Sequence, residues 1–237
     1  MRHRLDTLVA LVDAAKKRGP RNDMRPRPEG ASWYTIGNKG DDNAAPDSTP
    51  VYLYDEIGGW GITAADFIRD LNAIETPGIQ LHINSPGGSV FDAVAIHAAL
   101  QNHAATVTTV VDGLAASAAS FIAQAGDVRQ IEKPGTMMIH DAAGLVYGNA
   151  RDMLQMADLL NQISDTIAGI YKDRAGTGSI STWRDAMRET SWYDSAKAVS
   201  AGLADEILND TAPPVPDGPE DRRSALIRAR ARVTLGG

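Results

Sequence analysis

Strand-like and helix-like segments alternate along the middle of this 237-residue chain, and this alternation limits the fold more than any other feature. Runs rich in β-branched and aliphatic residues lie at 51–57, 79–84, 106–111, 128–131 and 136–139. Helical patterns follow the first three of these runs, at 63–71, 91–102 and 117–125. Such alternation is typical of an α/β protein whose sheet is mostly parallel.

The segments on either side of this region indicate two arms. Residues 4–18 carry an amphipathic helix pattern, and residues 19–50 are rich in Gly, Pro, Asn and Asp, which predicts a linker. Residues 209–237 begin with four prolines and end in an arginine-rich helical pattern, which favours a solvated arm. The predicted organisation is therefore an arm over 1–50, a domain over 51–208 and a second arm.

A long helix is predicted from about Ala150 to Arg174. Apolar residues recur along it at steps of three and four: Met153, Met156, Leu160, Ile163, Ile167 and Ile170. Such a stripe predicts packing against another helix, including one from a second subunit. Shorter helices are predicted at 181–188 and from Ser195, with Gly202 ending the last one.

Composition excludes several classes of protein. A hydrophobic content of 43% with 22% charged residues is typical of a globular protein, and a net charge of -7 disfavours general nucleic-acid binding. The absence of cysteine excludes disulfides and thiolate chemistry and fits a reducing, cytoplasmic compartment. No apolar run is long enough to span a bilayer, and the first residues do not match a signal peptide.

Ser117 lies where a strand pattern changes to a run of small helical residues. A hydroxyl at that point can attack a carbonyl while the next backbone N–H, that of Ala118, faces the developing oxyanion. Serine is also common as a helix cap, so a purely structural role is the alternative.

Two further features complete a candidate site. His140 closes the predicted strand at 136–139 and is the histidine best placed to act as a general base. Gly87 and Gly88 follow another strand, where they allow an extended peptide to approach the backbone. A plain strand-to-helix turn is the alternative for this loop.

Four motifs in this order resemble the Clp-type serine peptidase family, the caseinolytic protease proteolytic subunit. They occupy residues 84–88, 113–117, 138–140 and 198–205, and the resemblance extends over 51–207. It implies a spiral of β-β-α units, as in the Clp and crotonase folds, with the long helix protruding as a handle through which rings stack. The arms resemble those of phage-encoded members, which act as head-maturation proteases.

The resemblance also implies roles for individual residues. Ser117 falls on the nucleophile, His140 on the base, and Gly88 and Ala118 on the two oxyanion donors. Substrate would lie extended beside two segments, with contacts at Gly87, Ser89, Val90, Gly144, Leu145 and Val146. The second of these segments, 144–148, falls on a strand that pairs with substrate. No metal or cofactor is implied, and the expected partners are polypeptides, including scaffold or capsid protein, and further copies of the chain.

The third member of the triad departs from the family pattern. Its aspartate position carries Thr190, whose hydroxyl can hold the histidine tautomer but stabilises an imidazolium less than a carboxylate does. Glu189 and Asp194 flank the position as alternatives, although Asp194 also suits a helix cap. A Ser-His dyad with water is the remaining possibility.

Three other functions compete with the peptidase. Residues 59–64 match a dinucleotide-binding fingerprint, but the next strand ends at Asn84-Ser85 without an acid for a ribose. The acyl-CoA hydratases share the superfamily fold but lack a serine like Ser117 paired with a histidine like His140. A catalytically weak assembly subunit of the same fold is the third, because of Thr190.

Overall fold

The computed structural model describes residues 32–37, 47–58 and 63–208. Within these ranges the strands are β1 (Tyr34–Ile36), β2 (Ser48–Leu53), β3 (Gly78–Ser85), β4 (Thr106–Ala116), β5 (Val128–Glu132), β6 (Thr136–Ile139), β7 (Ser191–Asp194) and β8 (Glu206–Leu208). The predicted helix at 4–18, most of the predicted linker, residues 59–62 of the possible dinucleotide fingerprint and the predicted arm 209–237 lie outside the described residues.

The helices of the described part are α1 (Ala64–Leu71), α2 (Val90–Gln101), α3 (Ala118–Ile122), α4 (Ala150–Ala175), α5 (Ile180–Arg188) and α6 (Ser195–Ser200). Local sequence fixes several of their ends. Thr63 and Asp66 form a reciprocal capping box at the start of α1, as predicted. Gly176 ends α4 in the left-handed conformation, at φ 65°.

The strands form one sheet in the order β1-β2-β3-β4-β5-β8, with β6 joined to β4 and β7 to β6. Neighbouring strands are parallel along β2-β3-β4-β5-β8 and between β4 and β6. The pairs β1–β2 and β6–β7 are antiparallel. This confirms the predicted α/β class with a mostly parallel sheet. Fully buried Leu53, Leu81 and Ile83 form part of the core beneath it.

β4 pairs with two different strands along its length. Residues Thr108–Val111 pair with β5, whereas Leu114–Ala116 pair with β6. Asn84 Oδ1 accepts a hydrogen bond from Leu114 N at 3.1 Å, and a Cβ on Gly113 would lie only 2.8 Å from that oxygen. Residues 112–116 thus continue the strand, and β4 carries the chain directly to Ser117.

The chain packs onto the sheet before residue 51, in a region that the sequence assigns to the linker. β1 pairs with β2, and β2 already begins at Ser48. Trp33 is fully buried and stacks on Phe67, with ring centroids 5.5 Å apart. Burial of the large Trp33 side chain stabilises the short segment around β1 against the domain. This segment is too short to show the periodic pattern from which a strand could be predicted.

The two ends of α4 differ in burial. Ile167 and Tyr171, in its second half, are buried against the domain, whereas Met153 and Leu154 in its first half are 51% and 68% exposed. The predicted apolar stripe thus becomes a packed surface only towards the C-terminal end of the helix. Across the described ranges, no helix combines the length and apolar character that a bilayer crossing requires.

Candidate active site

Ser117 adopts a backbone conformation that is rare for serine. It joins β4 to α3 at φ 54° and ψ -123°, and its N–H donates to Met138 O of β6 at 2.9 Å. Its hydroxyl makes no capping bond to α3, so the cap interpretation of this serine is wrong. Strained backbone of this kind costs about 1–3 kcal/mol and persists only where the surrounding structure enforces it.

His140 follows β6 directly, and its side chain meets the serine. Nε2 of His140 lies 2.6 Å from Oγ of Ser117. Because β6 pairs with the end of β4, the two residues come together although 23 positions separate them. Burial lowers the pKa of the His140 imidazole, and the neighbouring Asp141 carboxylate partly opposes this shift.

Gly87 and Gly88 form a second wall beside Ser117. Their φ angles are 100° and 148°, and a Cβ on Gly87 would lie 2.7 Å from Cβ of Ser117. Ile57 N donates to Gly87 O and Ser89 N donates to Ile57 O, as in a parallel bridge. In that pairing the N–H of Gly88 points away from Ile57.

A pocket of about 410 Å³ opens beside the Ser–His pair. Six of its lining residues belong to or adjoin the predicted site: Gly88, Ser89, Val90, Ser117, Ala118 and His140. The others are apolar or aromatic residues that sequence reasoning did not select: Phe91, Phe121, Ala142, Ala143, Ile167 and Tyr171. Of these, only Ile167 carried a signal, as part of the apolar stripe of α4.

Gly88 and Ala118, the two residues that the resemblance assigns as oxyanion donors, also line this pocket. Ala118 is the first residue of α3, and the N–H groups of a first helical turn have no partner within the helix. The N–H of Gly88 is directed away from its own bridge, as described above. The lining of the pocket therefore combines the Ser117 hydroxyl, the His140 imidazole and the backbone of Gly88 and Ala118.

Residues Gly144–Val146 do not line this pocket. The strand that the resemblance implies at 144–148 is absent from the described chain, where residues 140–148 form no strand. A strand needs a hydrogen-bonded neighbour, and none lies beside this segment in the single described chain. Leu145 is 96% exposed, and a Cβ on Gly144 would lie 3.6 Å from the side chain of Leu160 of α4.

None of the three candidates for a third triad residue bonds to His140. Thr190 is exposed, and within the described part of the chain its hydroxyl makes no hydrogen bond. The Glu189 side chain is likewise exposed, at the C-terminal end of α5. Asp194 caps α6 by accepting from Lys197 N at 2.8 Å, as its alternative role anticipated.

A serine hydroxyl held against an imidazole at the edge of a pocket is the arrangement that serine hydrolases use. The family model described as Clp protease matches residues 51–211 of this sequence. The chain therefore belongs to the Clp protease family, a family of serine peptidases.

Relatives named as ATP-dependent Clp protease proteolytic subunits support this assignment. The one from Chlorella vulgaris is 35% identical over 144 residues, which cover 60% of this chain and 71% of the relative. Those from Chara vulgaris and Bacteroides fragilis are 36% and 33% identical, over 56% and 55% of this chain. In both cases the match spans 63% of the relative, which is less than two thirds of its length.

Proposed function

We propose that this chain is a serine endopeptidase in which Ser117 is the nucleophile and His140 the general base. The observation that carries the proposal is the 2.6 Å contact between Ser117 Oγ and His140 Nε2 at the edge of a pocket. A serine that only caps a helix, or a histidine that only fills the core, would not require this contact. Family membership supports the same chemistry.

The proposed reaction follows from the positions of these groups. Oγ of Ser117 attacks the peptide carbonyl carbon while Nε2 of His140 takes the hydroxyl proton. The N–H groups of Gly88 and Ala118 donate to the oxyanion that forms. His140 then gives the proton to the leaving amine, the C–N bond breaks, and water hydrolyses the acyl-enzyme by the same proton transfers in reverse roles.

The pocket favours an apolar side chain on the acyl side of the scissile bond. Its walls include Phe121 and Ile167, and it lies directly beside Ser117. A substrate entering it would run extended along Gly87, Ser89 and Val90. The free segment Gly144, Leu145 and Val146 is proposed to pair with the other edge of the substrate as an added strand.

Assembly into a homo-oligomer belongs to the same proposal. The first half of α4 exposes Met153 and Leu154, and Leu145 and Tyr147 are exposed just before it. Apolar surface of this kind is typical of a subunit interface. The proposal includes the β-β-α spiral, with α4 as its protruding handle and as the contact between rings.

A role in phage head maturation is the most specific form of the proposal. It is supported by the resemblance of the arms predicted at 1–50 and 209–237 to those of phage-encoded members, although β1 and the start of β2 place parts of the first arm in the sheet. It implies scaffold or capsid protein as substrate in a host cytoplasm. It predicts self-cleavage within 19–50 or 209–221. Intact termini after long incubation of active enzyme would count against it.

The peptidase proposal is tested with fluorogenic peptides that carry an apolar residue before the reporter amine. Hydrolysis by the wild type and its loss in Ser117→Ala support the proposal. The competing function is an assembly subunit with little activity, which the lack of a carboxylate partner for His140 in the described residues favours. Native mass spectrometry that shows a defined oligomer without hydrolysis would favour that alternative.

A further inference from the structure

The two residues that follow His140 are held by four hydrogen bonds to three residues of the helices behind them. Arg184 donates from Nε and Nη2 to the two carboxylate oxygens of Asp141, at 3.2 Å each. The N–H of Asp141 donates to Met187 O at 3.3 Å, and the N–H of Ala142 donates to Ser164 Oγ at 2.9 Å. The chain leaving His140 is therefore fixed on both its backbone and its side chain.

Arg184 is the centre of this arrangement. Only 4% of the residue is exposed, although it lies on a surface helix, α5. Its guanidinium also donates to Asn161 O at 3.1 Å, to Asn161 Oδ1 at 3.2 Å and to the carboxylate of Asp165. One side chain thus ties α4, α5 and the segment after His140 together.

A buried ion pair alone is weak support for a functional role, because such pairs also serve folding. The position of this pair is what distinguishes it. In a Ser-His-Asp triad the acid orients the imidazole and stabilises its charged form. Here, within the described part of the chain, Ser117 is the hydrogen-bond partner of the His140 ring, and no side chain accepts from Nδ1.

We propose that Arg184 is a positioning residue for His140, which acts by clamping Asp141 and so fixes the imidazole that no triad acid holds. This inference rests on the proposed peptidase function. The clamp also keeps one carboxylate next to the base, and Asp141 favours the protonated form of His140. The charged groups of the clamp are Asp141 of the loop, Arg184 of α5 and Asp165 of α4.

The test compares Arg184→Met and Arg184→Lys with the matched control Arg188→Met. Arg188 lies one turn later on α5, where it is exposed and pairs with Asp185. For Arg184→Met we expect kcat to fall about 10²-fold with KM little changed, as for a misplaced catalytic group. Arg184→Lys keeps the charge but not the two-pronged geometry and should lose less, while Arg188→Met stays at the wild-type rate.

A role in stability alone gives a different result. In that case the melting temperature falls, but the folded fraction of each Arg184 variant hydrolyses peptide and reacts with a fluorophosphonate at the wild-type rate. That outcome overturns the inference. If Arg184→Met does not fold, Arg184→Lys and Asp141→Asn decide between the two roles by the same measurements.

Asp141→Asn adds a measurement, the pH dependence of kcat/KM, that a purely stabilising role of the clamp would not change. Removing this carboxylate lowers the pKa of His140 further, so the acidic limb of kcat/KM should move to lower pH. An unmoved limb together with unchanged kcat contradicts the inference. Failure of the proposed function itself appears differently, as a wild type that neither hydrolyses peptide nor labels at Ser117.

Discussion

Ser117 combines a rare backbone conformation with a hydrogen bond to the proposed base, His140. By sequence it resembles a helix cap, yet its φ of 54° and its bond to His140 are features that a capping serine lacks. The conformation turns the hydroxyl away from the helix and into the pocket. The hydrogen bond from Ser117 N to Met138 O helps to hold this strained backbone.

The pH dependence of activity should report the environment of His140. A general base must be neutral, and burial lowers the pKa of His140 below the ordinary value of about 6.5. We therefore expect kcat/KM to be full at neutral pH and to fall to half at a pH below about 6.5. Rates measured in buffers of constant ionic strength check this, and a half-point above that value would contradict it.

Thr190 can be tested by an isosteric change. Thr190→Val removes the hydroxyl but keeps a β-branched side chain at φ 56°. Because the hydroxyl makes no hydrogen bond in the described residues, we expect kcat/KM to remain near the wild-type value. A fall towards the roughly 10⁴-fold loss seen when a triad acid is removed would instead assign Thr190 the role of the third member.

At the scale of elements, the site is built where β4 changes partner from β5 to β6. This change carries Ser117 out of the main sheet and sets it beside the end of β6, from which His140 projects. The glycine loop after β3 closes the other side through its bridge to Ile57. Three strand ends therefore supply the groups of the site, while α4 supplies part of the pocket wall through Ile167 and Tyr171.

The substitution Gly88→Ala tests whether the glycine loop after β3 supplies an oxyanion donor. A Cβ at this position would lie 2.2 Å from Ile57 O, and φ is 148°, so the loop must move and displace the Gly88 N–H. If that group is an oxyanion donor, kcat should fall by at least about 10²-fold. Gly169→Ala in α4 is the control, because nothing lies within 4 Å of its Cβ, and it should leave kcat unchanged.

The elements also show what sequence can and cannot predict here. The alternation of strands and helices and the capping box at Thr63 follow from local patterns, and the structure confirms them. β8 and β1 have only three residues each, too few for a pattern, and exist because a neighbouring strand pairs with them. Tyr171 lines the pocket because α4 packs on the domain at this point. No local sequence motif predicts that packing.

Across the whole molecule, stability should depend on a second histidine that the proposed chemistry does not use. His97 is 6% exposed, its Nε2 has no hydrogen-bond partner in the described residues, and burial, with the nearby Arg174, lowers its pKa to about 4. The unfolded chain binds a proton near pH 6.5, whereas the folded chain does so only near pH 4. Stability contributed by neutral His97 is thus present above pH 6.5 and lost as the pH falls.

His97→Met isolates this effect. Between pH 7 and pH 5 the free energy of unfolding of the wild type should fall by about 2 kcal/mol more than that of the variant. Urea unfolding at both pH values, at one protein concentration, gives the difference, in which the contributions of other groups cancel. Equal pH dependence in the two proteins would show that His97 titrates normally.

The whole account depends on Ser117 being a nucleophile activated by His140. The most direct measurement is covalent labelling of the assembled protein with a fluorophosphonate, with the modified residue located by mass spectrometry. The account predicts one modification, at Ser117, and a far slower reaction in His140→Ala. An unlabelled Ser117, or labelling at the same rate without His140, would contradict it.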